Sequence, residues 1–154
     1  MTWDEVIANP FLRNLPFKIE LNGFGQIVMS PRSNKQGAIR SEIGFKIHRS
    51  KKRGQIIFGC STETPDGVKV ADVAWASDDF MAEFGEVTPF PKAPEICVEV
   101  VSPRNTKAEI NHKVELYLAK GALEVWVVNS EKEVTFYTHA GQIEKSKLVP
   151  KIKL

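Results

Sequence analysis

Two acidic side chains stand inside short apolar segments, and a helix carrying a lysine follows the second. Asp72 lies within residues 68–76 and Glu99 within residues 95–101, both rich in Val, Ile and Ala. A carboxylate among apolar neighbours is costly to bury unless it is paired or binds a cation. Two such acids, with Lys113 on the next helix, are the groups expected of a magnesium-dependent site that cleaves phosphodiester bonds.

Each of these residues also has a purely structural explanation. Asp72 or Glu99 alone could be a hydrogen-bonded or hydrated acid at the edge of a sheet. Lys113 follows Glu109 by four residues, the spacing of an ordinary surface pair on a helix. Glu20, on a strand of alternating polarity, could be an exposed hairpin acid. Perturbed acids nonetheless concentrate at functional sites, so for the two acids together the structural and functional interpretations are about equally open.

A short basic segment is the one sequence feature that could contact a nucleic acid. It ends a predicted helix, where cations also suit the negative end of the helix dipole. A solvated helix terminus and a phosphate-binding patch therefore both remain open. The segment contains Lys46, Arg49, Lys51, Lys52 and Arg53.

Composition sets few further limits on function. The chain has 154 residues, which is long enough for one domain with a hydrophobic core. Its net charge of +2 is too small for a generally basic surface. Cys60 and Cys97 lie in apolar runs and are expected to be free thiols. The histidines and cysteines lack zinc-site spacing. The acidic N-terminus does not resemble a signal peptide and no segment is long enough to span a membrane, so we expect a cytoplasmic protein.

The order of predicted elements indicates an α/β fold with a mixed sheet. Strand 95–101, helix 106–120 and strand 123–128 form a candidate βαβ unit with parallel neighbouring strands. Asn22-Gly23 predicts a tight hairpin turn. The remaining predicted elements are a short helix at 2–9, strands at 17–21 and 26–29, a helix at 34–50, strands at 55–60 and 68–76, a helical turn at 80–84, a strand at 134–137 and an edge strand at 148–154.

Five motifs occur in an order that resembles one known family. They are Glu20-Leu21-Asn22-Gly23 in the hairpin, Ala71-Asp72-Val73, Pro94-Glu95 leading to Glu99-Val100-Val101-Ser102-Pro103, the set Glu109, Lys113, Tyr117 and Gly121, and Glu124-Val125-Trp126-Val127-Val128. The chain resembles the Uma-two family of restriction-endonuclease-like proteins, a branch of the PD-(D/E)XK nuclease superfamily. The resemblance covers most of the chain.

This resemblance implies a fold and a metal site. The implied fold is a single restriction-endonuclease-like domain over residues 1–154, with a central mixed sheet flanked by helices and an N-terminal hairpin. The implied cofactor is Mg²⁺ or Mn²⁺. Asp72 and Glu99 match the metal-binding acids, with help from the backbone carbonyl of Val100.

The resemblance also implies roles for two further side chains. Superfamily members carry a lysine two residues after the second acid, where this chain has Val101. Lys113 resembles a lysine that has migrated to the following helix, where it would orient the attacking water or stabilise the transition state. Glu20 resembles an additional acid that binds a second metal ion or orients water. The implied substrate is DNA, and a homodimer would supply the two sites needed to cut both strands. The alternative is a catalytically silent module that binds nucleic acid or a protein partner.

Overall fold

The computed structural model describes all residues, 1–154. Its helices and strands follow one another in this order: α1 Trp3–Ala8, a 3-10 helix Pro10–Leu12, β1 Phe17–Leu21, β2 Ile27–Pro31, α2 Asn34–Lys51, β3 Gln55–Thr64, β4 Gly67–Ala76, α3 Asp78–Phe84, β5 Ile96–Val100, α4 Lys107–Ala119, β6 Glu124–Val128, β7 Val134–Thr138 and β8 Gly141–Ile143. None of the helices combines the length and the apolar character needed to cross a bilayer.

The strands form a six-stranded sheet and a separate two-stranded hairpin. The large sheet has the order β3-β4-β5-β6-β7-β8, and β1 pairs with β2 in the hairpin. Only β5 and β6 are parallel, and α4 connects them. The predicted α/β class, mixed sheet, βαβ unit and N-terminal hairpin are confirmed.

Helices cover both faces of the large sheet. On one face, α2 places Ile39, Ile43 and Ile47 against Val98 and Trp126. On the other face, α3 and α4 pack on the sheet through the buried side chains Phe80, Val114 and Tyr117. The alternation along β5 decides which side chains enter which core, because successive residues of a strand point to opposite faces. Glu99 therefore points towards the α4 side, on which Cys97 is also buried.

A kink in the β3–β4 pair positions Asp72. Gly59 faces Asp72 at the one position missing from the β3–β4 register, between the pairs Phe58–Val73 and Cys60–Ala71. Its φ is +66°, a conformation in which L side chains are strained. Ala71 and Ala74 enter the same core although they are three positions apart, so strict alternation of faces is interrupted at this point. Asp72 thus lies beside an irregularity in a continuous strand, and it faces the α4 side, as Ala74 does.

Two local predictions were wrong. The hairpin closes through a longer loop in which Asn22 N–H donates to the Gln26 carbonyl, and Gly25, not Gly23, adopts positive φ. Residues 148–154 form turns and irregular chain instead of an edge strand. Their apolar side chains still cover the α2 side of the sheet, where Val149 is fully buried, and this explains the strand-like pattern of the segment. The last strand of the sheet is β8.

Candidate active site: a buried cluster of acids and lysines

Four secondary-structure elements bring the predicted catalytic side chains together. Glu20 comes from β1, Asp72 from β4, Glu99 from β5 and Lys113 from α4. The three carboxylates are each no more than 6% exposed, while the Lys113 side chain is 24% exposed. These residues, up to 93 positions apart along the chain, therefore form one cluster. Lys113 is its most accessible member.

Glu20 is fixed from two sides. Its Oε2 accepts a hydrogen bond of 2.7 Å from the backbone N–H of Val70, on β4. Its two oxygens lie 2.8 Å and 2.9 Å from the Nζ of Lys113. The hairpin is thereby attached to both the sheet and α4 through a single carboxylate.

Asp72 and Glu99 are joined by a cation that the sequence did not predict. The Nζ of Lys18 lies 2.7 Å from Glu99 Oε2 and 3.4 Å from Asp72 Oδ1. The other oxygen of Asp72, Oδ2, accepts a hydrogen bond of 2.8 Å from the backbone N–H of Val100. The role predicted for the Val100 carbonyl stays a prediction.

Glu99 is the centre of the cluster. Besides Lys18, it has the Nζ of Lys113 at 3.6 Å from Oε2, and its Oε1 accepts a hydrogen bond of 2.8 Å from the Tyr117 hydroxyl. Tyr117 is completely buried. One carboxylate thus connects the hairpin, the sheet and α4, and both of its oxygens are in use.

The pKa values of Glu99 and Asp72 shift in opposite directions. Burial raises the pKa of Glu99, but Lys113, Lys18 and the Tyr117 hydroxyl outweigh it and hold this pKa below its ordinary value. Burial also raises the pKa of Asp72, and here Lys18 and the Val100 N–H do not fully compensate, since the neighbouring Glu99 charge acts in the same direction as burial. Burial and the Glu99 carboxylate raise the pKa of Tyr117 well above its usual range, so its hydroxyl remains a donor.

Lys18 and Tyr117 were not predicted as members of the site, although the sequence contains a signal for each. Lys18 precedes Glu20 by two positions on a strand, so both side chains share one face, and both are buried. Tyr117 follows Lys113 by four positions, which places the two side chains on one side of α4. Tyr117 was named only as part of the helix motif, with no role in the site. Lys18 was not considered, because a lysine on a strand is usually exposed.

The predicted basic segment lies at the C-terminal end of α2. Lys46 pairs with Glu42 at 2.9 Å and Lys51 lies over the Trp75 ring at 4.6 Å, so part of the segment has structural partners. Its nucleic-acid role stays a prediction. Arg32, another cation, has a lowered pKa: burial and the like charge of Arg40 lower it, and the opposing influence of Asp72 and Glu20 does not fully compensate.

Arg32 stands at the other end of α2 from the basic segment. It directly precedes the N-cap, Ser33, and α2 has 18 residues, which corresponds to a length of about 27 Å. Arg32 is therefore well separated from the basic segment, and it forms no ion pair within the protein.

The donor chemistry of the cluster fits a divalent cation only through Asp72 and Glu99. No group of three or more His, Cys, Asp or Glu side chains is arranged to hold a metal ion. Two carboxylates are nevertheless the number that Mg²⁺ commonly takes from a protein, with water and substrate phosphate as its other ligands. Asp72 Oδ1 and Glu99 Oε2 already converge on a single cation, the Lys18 ammonium.

Comparison with known proteins gives the same assignment as the motifs. Residues 3–150 match the family described as "Uma2: Putative restriction endonuclease". The chain belongs to the Uma2 family. Among solved structures, it is similar to a "putative nuclease belonging to DUF820" from Anabaena variabilis, with a TM-score of 0.77 and 18% identity over 100% of this chain and 94% of that chain. At this identity the likeness concerns the fold. No curated protein sequence matches the chain.

Proposed function

We propose that this Uma2 protein is a metal-dependent endonuclease that hydrolyses phosphodiester bonds of DNA. The observation that supports the proposal most strongly is the convergence of Glu20, Asp72, Glu99 and Lys113 from four separate elements on one buried cluster. Burying three carboxylates costs several kcal/mol unless they are compensated, and a fold has no structural need to collect them. Membership of a family described as restriction endonucleases agrees with this interpretation.

Asp72 and Glu99 are the residues that would hold Mg²⁺ or Mn²⁺. When bound, such an ion supplies a lowered pKa for coordinated water and offsets the negative charge of the phosphate. The backbone N–H of Val100 orients Asp72, and the Tyr117 hydroxyl orients Glu99, so neither carboxylate rotates freely. Such outer contacts commonly change metal affinity or activity about 10- to 100-fold.

Lys113 is the residue best placed to reach the substrate. Its side chain is the most exposed of the cluster, and Glu20 holds its ammonium at 2.8 Å from one side. A fixed ammonium beside the two metal-binding acids can donate to the attacking water or to a phosphate oxygen, where negative charge develops. Glu20 then acts as a positioning residue for Lys113.

Nicking of supercoiled plasmid with Mg²⁺ or Mn²⁺ tests the proposal. Asp72→Asn keeps an oxygen for the Val100 N–H but removes the negative charge. It should therefore fold and lose more activity than the roughly 100-fold that loss of an outer contact to a metal ligand can cost. Glu42→Gln is the control, since Glu42 is a partly buried, ion-paired carboxylate outside the cluster. Equal nicking by wild type and Asp72→Asn, or nicking that persists in EDTA, would contradict the proposal.

A catalytically silent module that binds nucleic acid is the second candidate. The Lys18 ammonium between Asp72 and Glu99 favours it, because an internal cation already neutralises part of the charge that would attract a metal ion. DNA binding without nicking, unchanged in Asp72→Asn, would support this candidate.

Cutting both strands of a duplex needs two sites, and we propose that a homodimer supplies them. Sedimentation equilibrium tests this.

A further inference from the structure

Lys18 occupies the only place in the cluster where Asp72 and Glu99 both present an oxygen to one cation. It is itself buried, with a side chain that is 8% exposed. Its Nζ contacts Glu99 Oε2 at 2.7 Å and Asp72 Oδ1 at 3.4 Å. Neither the sequence motifs nor the family description assigns a role to this residue.

The ammonium has a clear electrostatic reason to be there. Two buried carboxylates facing each other repel one another, and each would be costly without a compensating cation. Lys113 does not meet this need for Asp72, because Lys113 contacts Glu20 and Glu99. Lys18 is therefore the only lysine that contacts both acids of the proposed metal site.

The position cannot serve Lys18 and a metal ion together. Asp72 Oδ2 and Glu99 Oε1 already accept hydrogen bonds from the Val100 N–H and the Tyr117 hydroxyl. A metal ion held by both acids would therefore use the two remaining oxygens, which contact Nζ. A divalent cation and an ammonium so close to each other repel strongly. Since the lysine arm has four methylene groups, its head can move away while its backbone stays in β1.

We propose that Lys18 is a built-in counterion that a divalent metal ion must displace, so that Lys18 sets the metal affinity of the site. The inference rests on the proposed function, because it takes the Asp72–Glu99 pair as the metal site. In metal-free protein, Lys18 then compensates the negative charges of Asp72 and Glu99. A bound metal ion would replace this ammonium with a cation of higher charge. Lys18 acts as a positioning residue and does not need to touch the substrate.

Calorimetric titration of Mn²⁺ into EDTA-treated, dialysed protein tests the inference without any nuclease assay. Lys18→Met removes the competing charge and keeps a similar apolar arm. We expect it to bind Mn²⁺ at least tenfold more tightly than wild type, a difference of about 1.4 kcal/mol. Metal should also raise the Tm of Lys18→Met by more than it raises that of wild type, because tighter binding to the folded state stabilises it more.

Two further variants make the result interpretable. Lys18→Gln retains a hydrogen-bond donor for Glu99 and serves if Lys18→Met does not fold; we expect tighter binding here too. Lys69→Met is the matched control, since Lys69 is an equally buried lysine on β4 that pairs with Asp66 at 3.3 Å. It should bind Mn²⁺ as wild type does.

Different outcomes separate the inference from the proposed function. Equal or weaker Mn²⁺ binding by Lys18→Met and Lys18→Gln, while wild type binds Mn²⁺ and nicks DNA, would overturn the inference alone. If neither wild type nor the Lys18 variants bind Mn²⁺, the metal site of the proposed function fails and the inference fails with it. Tighter binding that Asp72→Asn abolishes supports both.

Discussion

Replacing Tyr117 by Phe removes one defined contact from the cluster and leaves the packing intact. The hydroxyl donates a 2.8 Å hydrogen bond to Glu99 Oε1, while the ring fills the core on the α4 side and is completely buried. A hydrogen bond to a charged group contributes about 1.5–3 kcal/mol to stability. A loss of about 2 kcal/mol lowers the Tm of a chain of this size by roughly 4–8 °C.

The loss should depend on pH in a defined direction. The pKa of Glu99 is below its ordinary value of 4.5 in the folded protein, so the stabilisation it provides is present above that value and lost as the pH falls through the folded pKa. Tyr117→Phe brings the folded pKa of Glu99 back towards its ordinary value. The difference in the free energy of unfolding between wild type and variant should therefore be largest near neutral pH and shrink as the pH falls below 4.5.

Urea denaturation followed by tryptophan fluorescence measures this difference across the pH range. The control is Tyr137→Phe, since Tyr137 is a half-buried tyrosine on β7 outside the cluster and should change stability by less than about 0.5 kcal/mol. Equal stability of wild type and Tyr117→Phe at neutral pH would refute the reasoning. So would a difference that stays constant down to the acid limit, because the hydrogen bond would then not favour the charged carboxylate.

Two other features give direct predictions. Burial raises the pKa of Cys60 to about 12, and Cys97 is fully buried. Neither thiol should therefore react with a disulfide reagent in native protein, whereas both should react in urea. Reaction of either thiol under native conditions would contradict its burial. Gly59→Ala should destabilise the fold by about 1–2 kcal/mol because an L residue is strained at this positive φ. A steric clash would not contribute, since an added Cβ would meet only Val70, at 3.9 Å. The substitution should also reduce nicking because Asp72 lies opposite Gly59; unchanged stability in urea would show that the kink is not required.

The sequence predicts the elements well where local patterns determine them. The capping box of Thr106 and Glu109 begins α4, and alternation along β5 places Glu99 on the α4 side. These features depend on neighbours a few residues away. Lys113 is different: its helix spacing alone predicted a surface pair with Glu109, and the family resemblance singled it out; the structure places it beside Glu20 and Glu99.

What the sequence could not predict depends on how distant elements pack. Alternation puts Lys18 on the face of Glu20, but only the docking of the hairpin on β4 and β5 shows that this face meets Asp72 and Glu99. The kink at Gly59 likewise depends on the pairing of two strands. The tail at 148–154 has a strand-like pattern because it covers a core, although no neighbouring strand is present to pair with it.

The central claim is that the acid cluster cleaves DNA with the help of a divalent metal ion. Glu99→Gln tests it most directly, since Glu99 contacts Lys18, Lys113 and Tyr117 and its substitution changes charge with little change in shape. In a plasmid-nicking assay on folded proteins purified in parallel, wild type should nick with Mg²⁺ or Mn²⁺ and stop in EDTA, and Glu99→Gln should be inactive. Equal rates for both proteins, or no nicking by wild type with either metal, would contradict the claim.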